Sequence, residues 1–145
     1  MTSRTPADTD IVVGVDGSAP ARAALRWAAA QARLTGARLH AVTALDYPLV
    51  ADWAPQLPAE DLAGAAGKML SQAVHDALGP APDIAVAESV QAGHPAQVLV
   101  DLSAHAALVV VGSRGHGGVA GALLGSVSRH CTNHAHCPVV VVRAS

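Results

Sequence analysis

Four short, nearly unbroken apolar runs and one alternating run, separated by segments of helical spacing, constrain this chain more than any other feature. The first run is Asp10-Ile11-Val12-Val13-Gly14-Val15. Period alone does not separate a buried strand from a helix here. Its β-branched content and the turn cluster Asp16-Gly17-Ser18 favour a strand. Leu39 to Ala44, Leu108 to Val111 and Val139 to Val142 read the same way. Between them, Ile84, Val86, Glu88 and Val90 alternate with other residues, which suits a strand with one poorly covered face at a sheet edge.

The intervening segments carry helix signals. Ser18 is placed to cap a helix and Pro20 suits its first turn. Ala21, Ala24, Leu25, Ala28 and Ala32 then recur at helical spacing, with Arg22, Arg26 and Arg33 on another face and Gly36 as a stop. Leu45 to Pro58 holds three prolines and no periodicity. It is expected as a long loop, of the kind that often serves as a lid or binding segment. Glu60 and Asp61 open a second helix, whose apolar stripe Leu62, Ala66, Met69, Leu70, Ala73 and Ala77 ends at Gly79. Pro95 to Ala104 is a third helix, and Ser126 to about Ala135 a fourth.

The order is therefore βαβαβαβαβ. Strict alternation with apolar strands argues for a single α/β domain: an open, five-stranded parallel sheet with helices on both faces. Residues 1–9 are expected as a flexible tail. Of the 145 residues 51 % are hydrophobic, yet there is no Phe, one Tyr (Tyr47) and two Trp (Trp27, Trp53). The core must be built from Ala, Val and Leu, which lets helices lie close to a thin sheet.

Composition also excludes function classes. A net charge of −2 provides no basic footprint for nucleic acid, and scarce aromatics provide no stacking platform. The start, MTSRTPADTD, has no apolar core for a signal peptide, and no apolar run is long enough to span a bilayer. Cys131 and Cys137 do not form a secreted disulfide framework. The expected setting is the cytoplasm, with no nucleic acid and no membrane among the partners.

Parallel sheets of this kind bind ligands beyond the carboxyl ends of their strands, where the winding direction reverses. There the chain carries Gly112-Ser113-Arg114-Gly115-His116-Gly117-Gly118, leading to Gly125-Ser126 at a helix start. Clustered glycines permit close backbone approach, and consecutive amides then form a nest for anionic oxygens. The helix N-terminus adds N–H groups and partial positive charge, and Ser126 and Ser128 add hydroxyls. The set suits a polyphosphate. G-x-x-x-x-G-K-[ST] is absent and G-x-G-x-x-G does not follow the first strand, so a P-loop phosphotransferase or a conventional dinucleotide dehydrogenase is not indicated.

The spacing that fits is G-x2-G-x9-G-[ST], met by Gly112, Gly115, Gly125 and Ser126. With Ile11 to Ser18, His40 to Ala44, and the terminal Cys137-Pro138-Val139-Val140-Val141-Val142-Arg143, the chain resembles the ATP-binding branch of the universal stress protein family over nearly its whole length. The resemblance implies a Rossmann-like fold, akin to the adenine nucleotide alpha hydrolases, with strand order 3-2-1-4-5. It implies a site in which Gly14, Val15 and Asp16 meet adenine or ribose and Ala44 touches adenine through its main chain. Val111, Gly112 and Gly115 line the ribose and inner phosphates, Arg114 belongs to the same binding site, and Gly125, Ser126, Val127 and Ser128 hold the outer phosphates. With few cations nearby (Arg114, Arg129), bound ATP implies Mg2+. Thr43 stands where the family often carries His, and Val119 where a larger apolar residue is common.

Other readings stand beside these. Asp16 suits a helix cap as well as a ligand contact. His130 and His134 are i, i+4 on a helix, but no standard zinc spacing is met, and no metal site is assigned. Cys131 lies on an apolar stripe and is expected as a buried core thiol. No nucleophile elbow or phosphoryl-transfer set is present, so no residue is assigned as catalytic and at most slow ATP hydrolysis is expected. The Val139–Val142 strand, outermost in the implied order, is an aggregation hazard unless covered. Pairing with the same strand of a second copy covers it, and the resemblance implies the same homodimer. The function expected is a nucleotide-dependent stress-response homodimer acting on a regulatory partner the sequence does not name. The alternative is a nucleotide-free dimeric interaction module of the same fold.

Overall fold

The computed structural model describes residues 9–53, 56–114 and 124–143. Along the chain come β1 (Ile11–Gly14), α1 (Ala19–Thr35), β2 (Leu39–Leu45), α2 (Tyr47–Trp53), α3 (Ala59–Leu78), β3 (Val86–Ala92), α4 (Pro95–Ser103), β4 (Leu108–Gly112), α5 (Ser126–His134) and β5 (Val139–Val142). The strands form one sheet in the expected order β3-β2-β1-β4-β5, and every neighbouring pair is parallel. The tail expected at residues 1–9 lies outside the described residues, apart from Thr9.

Alternation along each strand divides the core into two layers. Ile11, Val13, Leu39, Ala41 and Val110 pack against Ala24, Leu25 and Ala28 of α1 and Leu70 and Val74 of α3. On the opposite face, Val12, Val42, Val109 and Val111 pack against Val98 and Leu99 of α4 and Cys131 of α5. Both faces of the central strands are covered, which is why their sequence is continuously apolar. β3 is an edge, and its alternation is explained. Val86 and Val90 pack on the first layer, whereas Ser89, on the other face, bonds His40 Nε2 at 2.8 Å. Ile84, expected within that strand, packs on the core just before it.

Local chemistry sets the helix ends. Gly17, at φ +83°, turns the chain so that Ser18 caps α1, its hydroxyl accepting from the Ala21 amide at 3.3 Å. Gly36, at φ +76°, ends α1 by donating to the Ala32 carbonyl.

One expectation is corrected. The segment from Leu45 to Pro58 is not a plain loop, because Tyr47–Trp53 forms the short helix α2. Asp46 starts it: its carboxylate accepts from the Leu49 amide and its carbonyl from the Val50 amide, while Pro48 occupies the first turn. An Asp-x-Pro start overrode the breaking tendency read from the prolines.

At the amino end of the sheet, Asp10 is buried and makes a bidentate pair with Arg38, at 2.6 and 3.2 Å. That pair ties the entry of β1 to the entry of β2 and leaves the carboxyl ends of the strands for a ligand.

Candidate functional site

The winding reverses at β1, because β2 and β3 lie to one side of it and β4 and β5 to the other. Beyond the carboxyl ends of these strands lies a cavity of about 420 Å³. That volume is in the range of small-molecule sites. Gly14, Val15 and Asp16 stand at its centre, at the end of β1 and just beyond it. On the β2 side are Val42, Thr43, Ala44 and Leu45, roofed by Ala66 and Met69 of α3. On the β4 side are Val111, Gly112 and Arg114, with Gly125, Ser126, Val127 and Ser128 at the start of α5. The cavity thus has an apolar end and an amide-rich end. Every expected site residue within the described residues lines it. Gly115 lies outside the described residues, as do His116, Gly117, Gly118 and Val119.

The amide-rich end is held by a small set of bonds. The Gly125 amide donates to the Ser113 carbonyl at 2.6 Å. The Ser128 hydroxyl, fully buried, reaches the Ser113 carbonyl at 3.1 Å and the Gly125 carbonyl at 3.0 Å. Together these bonds pin the exit of β4 to the start of α5. The α5 N-cap is Gly125, which offers no side-chain acceptor. α1 is capped by Ser18 and α4 by His94, whereas α3, behind Pro58, and α5 have no capping side chain, and it is the first turn of α5 that meets the cavity. An anion in the cavity would take the place of that missing cap.

At the centre, Asp16 accepts from the Ser18 amide at 3.0 Å and from its hydroxyl at 2.5 Å. Ser18, not Asp16, caps α1; Asp16 braces the cap and also lines the cavity. Thr43 is buried, and its hydroxyl donates to the Val15 carbonyl at 2.9 Å, locking the end of β2 to that of β1. Cys131 is fully buried, as expected, and burial pushes its thiol up to about 11. Among the described residues no group of three or more His, Cys, Asp or Glu is placed to hold a metal; the rings of His130 and His134 lie 4.5 Å apart.

The model of the universal stress protein family matches residues 9–143. The chain belongs to that family. Universal stress protein Rv1996 of Mycobacterium tuberculosis is 38% identical over 144 residues, covering 95% of this chain and 45% of the relative. Universal stress protein Rv2623 of the same species is 40% identical over 143 residues, covering 91% and 46%. The chain thus spans about half the length of these curated relatives. Among solved structures, a universal stress protein in complex with cAMP is 28% identical, with a TM-score of 0.65, covering 94% of this chain and 98% of that one.

In this member of the universal stress protein family, two kinds of site residue escaped the sequence. Ala66 and Met69 belong to the apolar stripe of α3, yet they line the cavity, Met69 also packing on the core, while Leu70 and Ala73 of the same stripe are buried there. Helical spacing cannot divide one stripe between two destinations. Pro95, Val98 and Leu99 of α4 also line the cavity, and only the placement of α4 beside β1 reveals it.

Proposed function

We propose that this chain binds an adenine nucleotide in the cavity beyond β1 and β4, as ATP with Mg2+, and works as a nucleotide-dependent regulatory homodimer. The carrying observation is the first turn of α5, which lacks a capping side chain, is pinned to Ser113, and opens on a cavity whose other end is apolar. A base suits the apolar end and a polyphosphate the amide end. Among the described lining residues Arg114 is the one Lys or Arg, so a triphosphate needs a divalent cation to offset its charge. That a related universal stress protein is complexed with cAMP supports the adenine part of this reading.

No residue is assigned to catalysis, and turnover is at most slow hydrolysis. The homodimer joins β5 edges, whose four valines are only half-buried along an outer strand. Dimer formation in the cytoplasm with an unnamed regulatory partner completes the reading. Among the described residues no helix is long and apolar enough to cross a membrane.

A competing reading, a nucleotide-free interaction module, draws on Gly112. A Cβ there would lie 2.7 Å from Pro20 Cβ, so packing alone accounts for one glycine of the motif. Mass spectrometry of small molecules released by heating the purified protein, with a thermal shift on adding Mg-ATP, separates the two. Released adenine nucleotide, or a clear rise in Tm with Mg-ATP, is expected; neither appearing overturns the nucleotide reading.

A further inference from the structure

The interior is built without aromatic rings, yet the chain has two tryptophans, and neither is in the core: Trp27 is 38% exposed and Trp53 83%. Large apolar side chains gathered at a surface mark interaction sites, and tryptophan and arginine are the residues that most often anchor them. Each tryptophan here belongs to a patch. On α1, Trp27, Ala30 and Leu34 follow one solvent-facing stripe, with Leu34 82% exposed. Arg26 and Arg33 flank it, Arg33 pairing with Asp83 at 2.7 Å, and α1 contains no Asp or Glu.

The second patch has the opposite charge. On α2, Leu49 and Trp53 are four residues apart on one helix face, and exposed Leu57 follows. Asp52, Glu60 and Asp61 are exposed around this ridge. From Leu39 to Gly67 the chain holds no Lys or Arg. One surface is apolar with Arg26 at its border and the Arg33–Asp83 pair beside it, the other apolar with an acidic border.

We propose that these surfaces are a matched pair, and that copies of this chain dock with the α1 stripe of one on the α2 ridge of the next. Exposed ion pairs contribute little by themselves. The attraction comes from burying Trp27 and Trp53, and the charges fix orientation and exclude mismatched docking. The two surfaces differ, so the contact is heterologous and each added copy presents a further open surface. It is separate from the β5 edge pairing proposed above, which is isologous and closes at two copies.

Sedimentation velocity on the full-length protein over a wide concentration range tests the proposal. The weight-average mass of the wild type is expected to rise with concentration. Trp27→Ser and Trp53→Ser should each weaken the association about thirtyfold or more, as loss of an interface anchor does. Arg26→Glu, which retains Trp27, should act in the same direction. Mixing Trp27→Ser with Trp53→Ser is the decisive measurement, because the first keeps an intact ridge and the second an intact stripe. The mixture should be heavier than either variant alone, by the one productive contact of an intact stripe with an intact ridge, without needing to reach the open-ended rise of the wild type. A wild-type mass independent of concentration, variants that associate like wild type, or a mixture no heavier than its parts overturns the proposal. A dimer that persists unchanged in all samples is the β5 contact and does not count for it.

Discussion

The amide of Gly125 donates to the carbonyl of Ser113 at 2.6 Å, so the chain that leaves β4 returns to its own point of departure before α5 begins. Ser128 reinforces that closure from within the first turn. Ser128→Ala is expected to lower stability by about 1 kcal/mol, a Tm loss of a few degrees. It should also weaken nucleotide binding, because the α5 amides lose their fixed position. Differential scanning fluorimetry with and without Mg-ATP reads both effects, and an unchanged Tm would mean the hydroxyl contributes nothing to the closure.

Gly112 and Gly14 look alike in sequence but should respond differently to alanine. At Gly112 the new methyl would meet Pro20 Cβ at 2.7 Å and the Pro20 carbonyl carbon and oxygen at 2.8 and 2.9 Å. Backbone cannot rotate aside. At Gly14 the nearest atom is Leu99 Cδ1 at 2.9 Å, the end of a flexible side chain. Gly112→Ala should cost about 2–3 kcal/mol and Gly14→Ala about 1 kcal/mol or less. Urea denaturation curves for the two variants check the order, and equal costs would contradict this account.

Ala66→Leu places three extra carbons at the apolar end of the cavity without touching an amide of the other end. If the base occupies that end, affinity for adenine nucleotides should fall about tenfold or more. Far-UV circular dichroism should be unchanged. Isothermal titration calorimetry measures the loss, and undiminished affinity would move the base elsewhere.

Stability should decline on mild acidification through His40. Burial holds its imidazole below the ordinary value, Asp10 opposes that shift and Arg38 adds to it. The unfolded chain therefore takes up the proton first. The contribution of His40 is fully present above about pH 6.5 and is lost as pH falls from there toward the lower folded value. Replacing His40 with Gln should flatten the dependence of Tm on pH between about 7 and 5. A slope identical to wild type would assign the effect to other groups.

The two thiols should differ in reactivity. Cys131 is fully buried with its thiol raised to about 11, whereas Cys137 is half-buried. Titration with an aromatic disulfide reagent at mildly alkaline pH should label Cys137 first, and Cys131 only as fast as the protein opens. Prompt labelling of both would contradict the packing of α5 on the sheet.

Much of the fold was legible because valine-rich runs such as Val109-Val110-Val111 have few alternatives once turn clusters bound them. α2 was not, because seven residues are too few for a period to emerge and its start rests on the single cap Asp46. In the site, the glycine spacing and Asp16 pointed to the cavity directly. Gly112 misled in part, since its close approach to Pro20 lies within the chain and no local pattern records a contact between β4 and α1. Met69 was seen as apolar but not as a cavity wall, because that depends on where α3 lies relative to the end of β2.

With Trp27 and Trp53 both at the surface and no ring in the Ala-Val-Leu interior, indole emission in this protein reports on the periphery. Denaturation will barely shift the Trp53 spectrum, which is already that of a wetted indole, while anything that settles over α2 will move it to the blue. Trp27, 38% exposed, is the indole that reports unfolding, and Trp53 is the sensitive probe of contact at the rim.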